Sequence, residues 1–282
     1  MKLQLLSDLH LETESYQPVP APGAELLVLA GDIDTTWRSF ELFRGWPVPI
    51  LFVPGNHEFD KRDVDEAREA LRAHVKALGL RMLDDEAAVL TDAQGRRVRF
   101  IGCTRWCDFD AFGPAGRERA MRAGGYFQNV MQATRHGEVF GVDAVRRLAL
   151  DSRAWLADEL ARTGDWDATV AITHFAPSLK SADPRYGRQP GTASFCNNDE
   201  DLLPGATLWL HGHLHCRQDY RIVHPPSAST QPSPRGGPPV LGSGPADGRS
   251  GSTRIVSNAR GHVRKGEADG FDGQRVFEVF TG

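Results

Sequence analysis

Short apolar runs recur along the chain, each closed by polar or turn residues: KLQLLS (2–7), ELLVLA (25–30), PILFV (49–53), VRFIG (98–102), ATVAIT (168–173) and ATLWL (206–210). They are rich in Val, Ile and Leu and too short for typical helices, which predicts buried strands. Val64, Ala67, Leu71, Val75 and Leu78 step by three or four residues before Gly79, predicting a helix over 61–79. Val145, Leu148, Leu156 and Leu160, closed by Gly164, predict a second over 142–163. Strands alternating with helices indicate α/β layering. Further short strands at about 219–222, 253–257 and 275–280 suggest hairpins or meanders that complete a second sheet. Between 103 and 140 the pattern is weak, and Trp106, Phe109, Phe112, Tyr126 and Phe127 there fit either a cap over a site or irregular packing.

One segment breaks the pattern. Residues 225–252 hold seven Pro, six Gly and six Ser, residues that resist packing into helix or sheet. Strand-like DYRI precedes the segment and TRIVS follows it, so it reads as an expanded hairpin loop within one domain spanning 1–282. A docking site for a protein partner is the functional alternative.

Composition adds bounds rather than identity. The 282 residues are 40% hydrophobic and 25% charged, with a formal net charge of −4 when all ten histidines are neutral. That balance advertises neither a nucleic-acid nor a membrane partner. No apolar stretch is long enough for a signal peptide or a membrane span, and the four cysteines read as reduced thiols, so the expected location is the cytoplasm. Cys103 and Cys107 read as a buried pair rather than half of a zinc site.

The candidate chemistry lies where strands end. Asp8-Leu9-His10, Gly31-Asp32, Gly55-Asn56-His57-Glu58, His174 and His211-Gly212-His213-Leu214-His215 each follow one of the apolar runs. In α/β sheets the ligand crevice lies beyond the carboxyl ends of strands, so groups far apart in sequence can converge there. Singly, each has an ordinary reading: Asp8 a turn cap, Asn56 a helix cap, Asp32 loop chemistry, His174 a hydrogen-bonded structural histidine. The alternation of His211, His213 and His215 puts three imidazoles on one face of an extended segment. Imidazole, carboxylate and amide donors together suit borderline divalent metals such as Mn, Fe, Co, Ni or Zn.

The ordered set DLH, GD, GNHE, a lone strand-end histidine and GHLH resembles the calcineurin-like metallophosphoesterase superfamily. The resemblance implies a four-layer sandwich of two mixed β-sheets flanked by helices, with two divalent metals at the sheet edges. It implies that Asp8, His10 and His215 bind one ion, Asn56, His174 and His213 the other, and that Asp32 bridges both. His57 would be the catalytic histidine and not a ligand. Two such ions about 3.5–4 Å apart can lower the pKa of a bridging water; the resulting hydroxide would attack phosphorus, and protonated His57 would stabilise charge or protonate the leaving oxygen. Two ions would also add about +4 to the site, so the acidic net charge does not argue against a phosphate substrate.

Departures narrow the expectation. In GDIDTTWRSF and GNHEFDKRD the phosphate-binding arginines of the Ser/Thr protein phosphatases are missing, and Arg38 and Arg62 read as surface arginines. Asp34 and Asp60 either orient His57 or serve turns. His211 is read as a packed strand residue in preference to a group supporting the ligands. Lys180, Arg185, Tyr186 and Arg188, in the loop after His174, are candidate substrate contacts, with solvated charge the alternative. The expected activity is hydrolysis of small phosphodiesters or phosphomonoesters. A nuclease is the second enzymatic reading, and a non-catalytic interaction scaffold of the same fold is the rival from another class.

Overall fold

In the computed structural model, which describes residues 1–224 and 251–280, each predicted apolar run forms a strand. In chain order the elements are β1 (Lys2–Leu6), β2 (Leu26–Leu29), β3 (Ile50–Phe52), α1 (Val64–Ala77), β4 (Arg81–Met82), β5 (Glu86–Thr91), β6 (Arg97–Cys103), α2 (Arg117–Gly124), α3 (Tyr126–Met131), β7 (Thr134–Arg135), β8 (Glu138–Val139), α4 (Val142–Ala161), β9 (Ala168–Thr173), β10 (Leu208–His211), β11 (Arg217–Val223), β12 (Ser252–Asn258) and β13 (Val276–Glu278). The predicted insertion at 225–252 lies almost wholly outside the described residues.

One sheet has the order β13-β1-β2-β3-β4, the other β11-β12-β10-β9-β6-β5. Strands β1 to β4 run parallel, as do β6, β9, β10 and β12; the outermost β13, β5 and β11 are antiparallel to their neighbours. Leu3, Leu5, Val28 and Leu51 of the first sheet share a buried cluster with Phe100, Val170, Ile172, Leu210 and Val256 of the second, so the sheets pack face to face. Alternate residues supply the outer faces: Leu27, Leu29 and Phe52 with Leu71 and Val75 of α1, and Ile101, Ala171 and Trp209 with Leu156 and Leu160 of α4. The period of two along strands and of three to four along helices thus yields the helix-sheet-sheet-helix sandwich.

One feature differs from the sequence reading, and another settles what that reading left open. The last strand does not complete the second sheet: β13 crosses to β1, Leu3 facing Phe277 in the register, and Phe277 and Val279 enter the inter-sheet core. The physical reason is the otherwise unpaired edge of β1. The weakly patterned stretch is also structured, because α2, α3 and the β7–β8 ribbon bury Phe109, Ala120 and Met131 against Trp106, Phe140 and Phe175.

Candidate metal centre

Parallel pairing places the carboxyl ends of β1, β2 and β3 side by side, and those of β9 and β10 likewise. Backbone hydrogen bonds then join the loops that follow: Asp8 N–H donates to Gly31 O at 3.0 Å, His10 N–H to Asp32 O at 3.1 Å and Gly212 N–H to His174 O at 3.0 Å. His213 N–H donates to Asp8 Oδ1 at 2.9 Å, linking the two sheets. Asp8, His10, Asp32, His213 and His215 all adopt positive φ, between 46° and 69°. Such backbone costs about 1–3 kcal/mol per residue and persists only where surrounding contacts over-determine it. Gly31 and Gly55 allow the close approach, because a Cβ on Gly31 would strike the His174 ring and one on Gly55 would strike Asp32.

The donors form two groups that share one residue. Ligand atoms of Asp8, His10, Asp32 and His215 lie within 4.8 Å of one another, and so do those of Asp32, His174 and His213. Asn56 Oδ1 is buried without a hydrogen-bond partner, and Asp32 Oδ2 and His174 Nε2, which also lack one, face each other at 3.2 Å. Orphaned buried acceptors of this kind are costly unless a cation meets them. Each histidine is held by its other nitrogen. His174 Nδ1–H donates to Ala30 O at 2.8 Å and His213 Nε2–H to Ser194 O at 3.2 Å. His10 Nδ1 faces Glu12 at 3.2 Å and His215 Nδ1 faces Glu267 at 2.7 Å. These contacts leave the remaining nitrogen as a lone-pair donor, and His10 Nε2 and His215 Nε2 face each other at 3.1 Å. The residues therefore fit divalent cations of the nitrogen-accepting kind.

His57 stands beside the donors in a short helical turn, His57–Phe59. Its N–H donates to Asp32 Oδ1 at 2.9 Å and its Nδ1 lies 2.8 Å from Asp60 Oδ2. Burial alone would lower its pKa, but the Asp32 and Asp60 carboxylates raise it to about 10. Burial opposes charge on His213 and holds its pKa well below the usual imidazole value, as a neutral ligand requires. Glu58 is fully buried and accepts from the N–H groups of Asp32 (2.9 Å), Ile33 (2.7 Å) and Gly55 (2.7 Å), pinning the β2 and β3 loops together.

Asp34 instead caps the turn after it, accepting from Thr36 and Ser39 N–H, each at 2.7 Å. Arg62 lies over the Trp37 ring and Arg38 is exposed. His211 is a packed strand residue: its Nδ1–H donates to Gly212 O and its Nε2 accepts from Ser181. Cys103 and Cys107 are buried thiols outside both donor groups.

A cleft of about 440 Å³ opens over the donors. Asp32, Asn56, His57, His213 and His215 line its polar side, while Tyr126, Val130, Tyr186, Phe195 and Leu214 wall it. Tyr126 stacks on Phe195 with centroids 6.2 Å apart, and Phe195 on His213 at 5.0 Å. Of the four candidate substrate contacts, Tyr186 lines the cleft. Lys180 pairs with Glu200 at 3.7 Å, Arg185 folds back onto Asp183 at 2.6 Å, and Arg188 is exposed and outside the lining. The lining also includes His262, Lys265 and Glu267, from the segment after β12, which the sequence reading missed. The signal available was the same one used elsewhere, a histidine following a strand, here at a distance of four residues from Asn258.

A family model described as calcineurin-like phosphoesterase matches residues 2–217. Comparison with curated proteins gives no match. Among solved structures, phosphopantetheinyl hydrolase from Mycobacterium tuberculosis matches with a TM-score of 0.64 at 16% identity, covering 94% of this chain and 90% of that one. At that identity the likeness is one of fold.

Proposed function

The chain belongs to the calcineurin-like phosphoesterase family and is a metal-dependent phosphoric ester hydrolase; from that premise we propose that it hydrolyses small phosphomonoesters or phosphodiesters at a two-ion centre. One ion would be held by Asp8, His10, Asp32 and His215, the other by Asp32, Asn56, His174 and His213. Bound there, divalent ions supply charge neutralisation for the phosphate and acidify water. The rest falls to the protein. His57, with Nδ1 engaged by Asp60, keeps Nε2 to donate a proton to the leaving oxygen, and the Asp60 carboxylate favours its protonated form. The apolar wall of Tyr126, Phe195 and Leu214 excludes water from the ester's organic side.

The observation that carries this reading is the pair of donor groups joined at Asp32, with Asn56 Oδ1 buried beside them without a hydrogen-bond partner. The whole chain reads as one domain with 225–252 inserted in it, because β12 and β13, beyond the insertion, complete sheets begun before it. No helix among the described residues is long and apolar enough to cross a membrane, and the four cysteines are free, which supports a reducing compartment such as the cytoplasm. The test is metal-stripped protein assayed on p-nitrophenyl phosphate and bis-p-nitrophenyl phosphate with Mn, Fe(II), Co, Ni or Zn restored. Hydrolysis of at least one ester is expected with at least one ion; none with any ion would overturn the reading.

A further inference from the structure

We propose that His262 is a further ligand of the ion held by Asp8, His10, Asp32 and His215. The proposal rests on the two-ion reading and extends it to a residue beyond the matched family segment, 2–217. A ring nitrogen of His262 lies within 4.8 Å of one from His10 and one from His215, a group that does not include Asp8 or Asp32, so His262 would meet the ion from the side of those two histidines. The His262 ring stacks on His10, centroids 4.6 Å apart and planes at 26°, and meets His215 edge-on at 5.1 Å.

Its setting repeats that of the two neighbouring histidines. His262 Nδ1 faces Glu14 at 3.2 Å, as His10 Nδ1 faces Glu12 and His215 Nδ1 faces Glu267. That leaves Nε2 as its lone-pair donor. Arg260, itself buried, holds Glu14 from the other side at 3.4 Å. Glu267 Oε2 accepts from the backbone N–H of His262 at 2.8 Å as well as facing His215 Nδ1 at 2.7 Å, so one carboxylate ties the His262 backbone to the His215 imidazole. A third imidazole would make this position more nitrogen-rich than its partner position. It should accordingly prefer Co, Ni or Zn to Mn more strongly.

The experiment compares wild type with His262→Ala, measuring the dissociation constants of both ions by chelator competition and the visible absorption of the Co(II)-loaded protein. One constant is expected to rise ten- to a hundredfold with the Co(II) spectrum altered, while the other stays within about twofold. Glu14→Gln, which keeps the imidazole and removes only a charged acceptor, should weaken the same ion to a smaller degree. Unchanged constants and an unchanged Co(II) spectrum would overturn the proposal, as would equal weakening of both ions, which marks a general distortion. Wild-type protein that binds no Co(II) would instead overturn the two-ion reading itself.

Discussion

His57 Nδ1 lies 2.8 Å from Asp60 Oδ2, three residues on in the same turn, and this contact sets which face of the imidazole the cleft receives. Asp60 also contributes to the raised His57 pKa, together with Asp32 and against burial. A group whose pKa is raised keeps its proton to higher pH, so removing Asp60's charge lets His57 deprotonate earlier. Asp60→Asn should therefore move the alkaline limb of kcat/KM to lower pH by about one unit or more. A limb that stays in place would show that His57 is not the group titrating.

Replacing His57 itself separates chemistry from metal binding. Its side chain belongs to neither donor group, so His57→Ala should retain both ions by elemental analysis. Turnover should fall by about a hundredfold or more, the usual scale of a lost general acid. Loss of an ion from this variant would reassign the residue as a ligand.

Glu58 has a structural task. Its carboxylate accepts four backbone N–H groups from two loops in a fully buried setting. Glu58→Gln places an amide donor against those donors. The variant should lose about 2–3 kcal/mol or more of stability, read from its denaturant midpoint. A midpoint equal to wild type would mean the loops are held by other contacts.

Charge in the cleft should decide which esters are accepted. Lys265 is the only Lys or Arg among the described lining residues, and the Asp183 carboxylate is already paired with Arg185. A substrate with one phosphate and a neutral body should outpace ADP by more than tenfold in kcat/KM. Val130, on α3 and 47% exposed, gives a site for a new cation at the wall. Val130→Arg should narrow the preference roughly fivefold, about 1 kcal/mol of added attraction at a solvated site. An unchanged ratio would show that the wall does not meet the substrate.

At the edge of the second sheet, β11 and β12 pair up to Val223 opposite Ser252, and His224 N–H donates to Gly251 O at 3.0 Å. Those ends are close enough for a two-residue turn. Replacing 225–250 with Asn-Gly, the sequence suited to such a hairpin, should leave turnover within about twofold of wild type. A large loss would give the excised residues a part in the cleft.

Much of this protein is written locally. Apolar runs of strand length, a helix marked by Val64, Ala67, Leu71 and Val75, and the polar residues closing each strand can be read one stretch at a time, because burial has a short period. The ordered motifs even name Asp8, His10, Asp32, His174, His213 and His215, whose side chains the parallel sheets bring within reach of one another. Tertiary structure alone decided what depends on distant segments meeting. It set β13 against β1, folded the ambiguous 117–131 stretch into α2 and α3 with α3 walling the cleft, and paired Arg185 with Asp183. It also brought His262 onto His10, some 250 residues away. No local pattern encodes such a contact, since it forms only when the segment after β12 packs across the carboxyl end of β1, joined there by the pairing of Ser7 with Ala259.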